Sequence, residues 1–494
     1  MGYSLNSHEE YCVSEENITG LRAAIVRGGA YLALRQGLVI IVNVVGMLLL
    51  TREIGPGPYG IYMACFDLLG YFGDVMTFGV NVYLIRKDGD IPEEDYHQAF
   101  TLILLLSIAG VGIGLLLLPL VQHWIRMKGF EVAALWMLLC MPVVLMGYVP
   151  LAYLEHALDY RRVATIEVAG RVAFYGVALP VAFTGGGVWA PVAGFWSLNL
   201  LQLIWFYSVV KLQPRLYWKW ERLRPMTSYG ISFSASNWIS RLRNLVNSLV
   251  VGRFLGPSAV GYVALCMRIA QVLTFIKIVA ARLSIAALAR VQNDAVRLGR
   301  AVTEGMTMQV LAAGPLLAAF AFFSHWIIPL FFGPAWWPTT KLFPFIAAAV
   351  LTEAVFSMHS SSLYVRKRNW EVASFSACHL LILGASAWLL VPRMGVSGYG
   401  WAEVMALPSY LILHWWFRLI GGKANYSYAA IWYLSCVICM FGWYLGPWAW
   451  PLLFVPFVLP STRKNLTAML SLVWEKQGTK FGWGRCLRKA ILKP

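Results

Sequence analysis

Apolar residues along this chain run in stretches long enough to cross a bilayer, broken by short segments that hold most of the Lys and Arg. A spanning helix needs about 20 such residues. Reading each run against its breaks predicts about fourteen spans, at 28–51, 59–85, 98–121, 131–154, 163–183, 188–210, 227–251, 259–282, 303–324, 339–364, 370–391, 396–417, 427–445 and 447–461. The last two meet at Gly446-Pro447. Residues 325–338 read as a break, because Pro329, Gly333, Pro334 and Pro338 interrupt any helix there. Glu9, Glu10, Glu15 and Glu16 stand where a signal peptide would need basic residues, so the first run is expected to remain as a spanning helix.

Charge sharpens this picture. The chain is 59% hydrophobic and 13% charged, against about 25% charged in soluble domains, so its solvent is mostly lipid. The net charge of +17 would suggest nucleic acid on a soluble chain. Here it follows the rule that cytoplasmic loops gather Lys and Arg. With the N-terminus in the cytoplasm, 28 of the 40 basic residues fall on that side, 5 fall outside (Arg52, Arg126, Lys128, Arg253 and Arg393) and 7 lie within spans. Both termini are therefore expected in the cytoplasm, and no nucleic-acid partner is expected. The longest loop, around 283–302, is too short for a soluble catalytic domain. The basic tail after Ser461 reads as an interfacial helix on anionic lipid. Walker, zinc and nucleophile-elbow motifs are missing from the sequence, which predicts a non-enzyme without a cofactor. Cys436 and Cys439 read as two small residues one turn apart.

The chain also resembles itself. Arg52-Glu-Ile-Gly-Pro-Gly-Pro-Tyr-Gly60 aligns with Arg253-Phe-Leu-Gly-Pro-Ser-Ala-Val-Gly261 at an offset of 201, and Gly187-Val-Trp has a weaker echo in Gly395-Val-Ser. Six predicted spans separate the two main copies. An even number keeps both halves in one orientation, which makes this a parallel repeat about an axis along the membrane normal. In each copy (Arg52, Gly55, Pro56 and Gly60; Arg253, Gly256, Pro257 and Gly261), Gly-Pro should end one helix, and the later Gly should let the next begin close to it. The fold read from the sequence is thus an all-α polytopic membrane protein of about fourteen helices in two pseudo-symmetric lobes. The expected organisation is a cytoplasmic tail at 1–27, an N-lobe at 28–210, a basic linker at 211–226, a C-lobe at 227–417, two additional helices at 427–461 and a basic tail at 462–494.

Leu50-Thr-Arg-Glu-Ile-Gly-Pro-Gly-Pro-Tyr-Gly-Ile-Tyr62, with Leu84-Ile-Arg86 after it, resembles the opening of polysaccharide flippases. These form the Wzx and polysaccharide-transporter branch of the multidrug/oligosaccharidyl-lipid/polysaccharide exporter superfamily. Val251-Gly-Arg-Phe-Leu-Gly-Pro, Gly186-Gly-Val-Trp189 and Phe332-Gly-Pro-Ala-Trp336 fit the same family. The resemblance covers about residues 22–460. It implies twelve to fourteen helices and a bacterial inner-membrane transporter of undecaprenyl-pyrophosphate-linked oligosaccharide for O-antigen, capsule or exopolysaccharide. Lipid, and a polysaccharide polymerase with chain-length proteins, would be its partners. Where many members carry Gln-Arg before the fifth helix, this chain has Glu155-His156, so any role of that pair does not carry over. A multidrug antiporter on the same fold and a membrane-embedded ligase or polymerase are the alternatives. An excess of intramembrane Arg and Lys argues against the first, and short outer loops against the second.

Ionisable groups at bilayer depth usually face a cavity or a partner. Arg offers a planar fork that matches a pyrophosphate, which makes Arg35, Arg241, Arg268 and Lys277 the candidates for holding one. Arg268 aligns with Asp67 at the repeat offset, so these two are expected as an alternative pair, as are Glu167 and Arg171 at i, i+4. Arg243 points about 160° from Arg241 on a helix and should meet another helix. Asp67 and Asp74, on one face of the second span, are candidates for H⁺ or Na⁺ coupling or for a gate with Arg268 and Lys277. Trp238, Trp401 and Tyr229 are available to stack on sugar rings.

Overall fold

The computed structural model describes residues 42–87, 89–275, 288, 291, 292 and 294–458, all helices, turns and connecting loops. Arg35, Lys277 and the tail 462–494 lie outside the described residues. The N-lobe comprises α1 (42–54), α2 (Pro56–Met76), α3 (Val80–Arg86), α4 (Glu93–Ile125), α5 (Phe130–His156, interrupted at Cys140 and Gly147), α6 (Tyr160–Phe183) and α7 (Trp189–Val210). The C-lobe comprises α8 (Trp220–Val246, prolonged by a π turn at Asn247–Val251 and by Gly252–Leu255), α9 (Pro257–Leu273), α10 (Ala295–Phe331), α11 (Pro338–Val365), α12 (Asn369–Met394), α13 (Val396–Ala406) and α14 (Tyr410–Leu419). Helix α15 (Ser427–Met440) packs on α10.

Among the described residues, seven helices are long and apolar enough to cross a membrane, and α2 with α3 makes an eighth. Helices α9 and α15 are shorter apolar helices. Several expected limits change. The span read at 59–85 is broken: α2 and α3 meet at 57°, because Phe78 (φ 46°) and Gly79 (φ 67°) adopt the left-handed conformation. The helix expected at 303–324 runs from Ala295 to Phe331 through Pro315 and Pro329. Each proline removes one ladder hydrogen bond, and in lipid no water competes for the others. Its start inside the presumed 283–302 loop is set by the Asp294 carboxylate, which accepts the N–H groups of Val296 and Arg297 at 3.0 Å each. The helix expected from 227 begins at Trp220, because Leu223 and Met226 sit at helical spacing within the N-lobe core. In place of a span at 447–461 there are short turns at Pro447–Ala449 and Pro451–Phe454, then Val455–Val458.

One continuous apolar core joins the lobes at the end carrying the repeat turns, where α2 packs on α9. At the other end the lobes keep separate cores, around Val80, Phe100 and Val149 in one and around Leu298, Leu363 and Phe417 in the other.

Candidate functional site: the seam between two lobes

The repeat turns build the seam where the lobes join. Gly55 (φ 72°) and Gly256 (φ 79°) adopt the same glycine-only conformation ahead of Pro56 and Pro257. The second glycine of each copy, expected to lie close to its own lobe's preceding helix, faces the other lobe instead. A Cβ on Gly60 would collide with the Pro257 carbonyl, and one on Gly261 with the Pro56 carbonyl. The two backbones touch about the pseudo-twofold axis.

The two arginines of the repeat cross the seam in opposite directions. Arg52 Nη1 donates to the carbonyls of Leu330 (2.8 Å) and Phe331 (3.4 Å), at the end of α10. Arg253 Nη1 donates to the Trp124 carbonyl (2.9 Å), at the end of α4, and its guanidinium lies 4.2 Å from the Trp124 ring centroid. Each thus caps the unpaired carbonyls that close the third helix of the opposite lobe. Indole groups add two more ties: Trp336 Nε1–H to the Thr51 carbonyl (3.2 Å) and Trp124 Nε1–H to the Leu249 carbonyl (3.0 Å).

Below this end, α2 and α8 run antiparallel in matched register. Ser248 Oγ donates to Asp67 (3.4 Å), and seven residues further along each helix Arg241 pairs with Asp74 (2.5 Å). Trp238 Nε1–H donates to the Asp74 carbonyl (3.1 Å), and Gly230 backs onto Phe78 and Gly79. Arg241 is therefore held by the other lobe's carboxylate, and Asp74 closes on Arg241 where Arg268 and Lys277 were expected. Asp67 and Arg268 do not form an ion pair, and neither do Glu167 and Arg171. Arg243 turns into the C-lobe, as its helical phase predicts, reaching Glu403 (2.8 Å) and Glu353 (3.6 Å). Tyr399 donates to the same Glu403 (3.0 Å). Trp401 packs on Phe345, and the side chain of Tyr229 lies outside the described part.

Arg268 is exposed on α9 and Arg171 is exposed on α6. One exposed guanidinium thus comes from each lobe. Sequence reasoning set Arg171 aside as the partner of Glu167. The signal that could have found it is the lack of any other acid within one turn of an arginine at mid-span.

The curated relatives include the amylovoran biosynthesis protein AmsL of Erwinia amylovora, 26% identical over 200 residues, 39% of this chain and 51% of that protein. A provisionally named O-antigen transporter of Shigella flexneri is 18% identical over 377 residues, 72% of this chain and 81% of that protein. The match thus spans about half the length of AmsL. Among solved structures, the lipid II flippase MurJ in an inward closed conformation superposes with a TM-score of 0.67 at 14% identity, covering 90% of this chain and 99% of that one. At that identity the likeness concerns the fold alone, an all-α polytopic membrane architecture. The sequence model of the polysaccharide biosynthesis protein family matches residues 49–341, more than half of the chain, and this protein belongs to that family.

Proposed function

We propose that this protein moves a polyprenyl-pyrophosphate-linked oligosaccharide across the bacterial cytoplasmic membrane by alternating access, for assembly of a surface polysaccharide. The carrying observation is a pair of lobes joined by one core at the repeat turns and holding separate cores at the other end, with an exposed arginine on each, Arg171 on α6 and Arg268 on α9. Two guanidiniums on opposite lobes hold an anion only while the lobes are close, which links cargo binding to lobe movement. Undecaprenyl pyrophosphate suits this chemistry. Arg35 and Lys277 remain candidate additions to the same basic wall, and both termini are assigned to the cytoplasm. A polymerase and chain-length proteins would receive the product. Asp67, held only by a long serine hydrogen bond, is the better of the two candidate H⁺ or Na⁺ carriers, because Asp74 is neutralised by Arg241.

The test is lipid-linked oligosaccharide flipping in proteoliposomes. Arg268→Ala and Arg171→Ala should each lower the rate at least tenfold with insertion unchanged, and Lys at either position should restore part of it. Full rates in both alanine variants would overturn the assignment. Collapsing the H⁺ and Na⁺ gradients separately tests Asp67: a rate that responds to neither makes it a structural group.

A further inference from the structure

The segment between α7 and α8 does not trail into water. Helix α7 ends at Val210 with Lys211 in the left-handed conformation (φ 54°), and Pro214 fixes its own φ and holds Gln213 out of the helical region. The chain then lies against the first turns of α4. Thr101 Oγ1, which donates to the His97 carbonyl (2.9 Å) in its own helix, accepts the Tyr217 N–H (2.9 Å), while Gln98 Oε1 accepts the Lys219 N–H (2.7 Å). Arg222 closes the run on Asp95 (2.5 Å) and Glu94 (3.8 Å). Thr101 lies six residues from Asp95, about 9 Å along the helix. The segment is thus a strap running antiparallel to α4 over the depth at which α7 ends. Leu212, Leu223 and Met226 are buried in the N-lobe core on its inner side.

Alternate residues of an extended chain point to opposite sides. Leu216 and Trp218, at i and i+2 of the extended run, are 75% and 51% exposed, and Trp220, the first residue of α8, is 68% exposed. Three large apolar side chains exposed so close together is an arrangement that water penalises, at about 25 cal/mol per Å². Around them, Lys211, Arg215, Lys219 and Arg224 are exposed, and Glu221 is the one acid between 211 and 224. Indole rings beside Lys and Arg, at the level of helix ends, match the headgroup zone, where the rings take the apolar side and the cations meet phosphates. Hydrocarbon depth does not fit, because an extended strap leaves backbone groups facing outward.

We propose that residues 211–224 are a membrane-surface anchor. Leu216, Trp218 and Trp220 enter the headgroup–acyl boundary of the leaflet at this end, and Lys211, Arg215, Lys219 and Arg224 bind its anionic phospholipids. Because the strap is bonded to α4, it ties the N-lobe to that leaflet. The anchor rests on the transmembrane architecture and is independent of the cargo.

The full chain carrying Leu216→Cys labelled with bimane, in nanodiscs, tests this. Lipids spin-labelled near the headgroup should quench the probe at least threefold more than aqueous iodide. Spin-labelled phosphatidylglycerol should exceed spin-labelled phosphatidylcholine at least twofold, and Lys211→Gln/Arg215→Gln/Lys219→Gln should remove that excess. Dominant iodide quenching, equal quenching by the two lipids, or disulfide cross-linking of two copies through Leu216→Cys would each overturn the proposal. Trp220→Cys provides a second probe position if Leu216→Cys does not fold.

Discussion

Arg253→Ala should loosen the seam at the repeat turns by an amount that can be worked from its contacts. The substitution removes a charge-assisted hydrogen bond to the Trp124 carbonyl at 2.9 Å and a cation–π contact at 4.2 Å. A hydrogen bond from an ionised donor contributes about 1.5–3 kcal/mol, and an exposed cation–π contact about 0.5–1 kcal/mol. Part of the first is regained when water reaches the freed carbonyl. A net loss of about 2 kcal/mol shifts the closed-to-open ratio roughly 30-fold. Arg52→Ala loses the corresponding bonds to Leu330 and Phe331 without the stacking, and should shift it about tenfold, for roughly 1.4 kcal/mol. The reporter is Ser258→Cys, half-buried in the first turn of α9 and facing Gly57, labelled with a membrane-impermeant maleimide added on the side proposed to be outer. The described native cysteines are buried or half-buried, and Cys12 and Cys486, which lie outside the described residues, are replaced by Ser. Labelling should accelerate in each arginine variant and multiply in the double variant, since the two contacts lie on different helix ends. Unchanged labelling in the double variant would refute the idea that these guanidiniums hold the seam.

Three further outcomes follow from the same geometry. Gly60→Ala and Gly261→Ala place a methyl on the opposite lobe's proline carbonyl; each should raise Ser258→Cys labelling and cost about 1–3 kcal/mol in stability, read by thermal unfolding in detergent. Asp74→Ala leaves Arg241 unpaired at the seam and should reduce export, and the exchange Asp74→Arg/Arg241→Asp should restore part of it in a complementation assay. The N–H groups of Arg297 and Val296 hold the Asp294 carboxyl below its ordinary value of 3.8. Its contribution to stability is therefore complete above that value and vanishes as pH falls through the lower folded one. The melting-temperature gap between the protein and Asp294→Ala should close under strongly acidic conditions, and a gap that stays constant with pH would contradict the cap.

What the sequence makes legible is what lies along one helix. Apolar runs and the alternation of Lys and Arg locate most helices, and the phase of Arg241 against Arg243 correctly sends them to different neighbours. What it hides are contacts between segments far apart. Arg52 and Arg253 stand out as a repeated turn, yet their acceptors are carbonyls of helices whose sequences carry no matching motif. The bend at Phe78–Gly79 follows from a conformation that a strongly apolar stretch disguises. The early start of α8 is masked because Trp220-Glu-Arg-Leu-Arg-Pro reads as a charged loop until the N-lobe core is there to receive Leu223 and Met226.

The polarity of α8 bears on how the molecule is made. This helix has 27 residues, enough to cross, but is too polar to rank with the seven that do so on hydropathy alone. Arg241 finds its counter-charge on α2 and Arg243 finds its own on α13, the one synthesised well before and the other well after. During biogenesis the nascent segment should therefore lodge beside the finished first half and settle fully only when the later carboxylate emerges. Truncation after residue 300 should leave it poorly inserted.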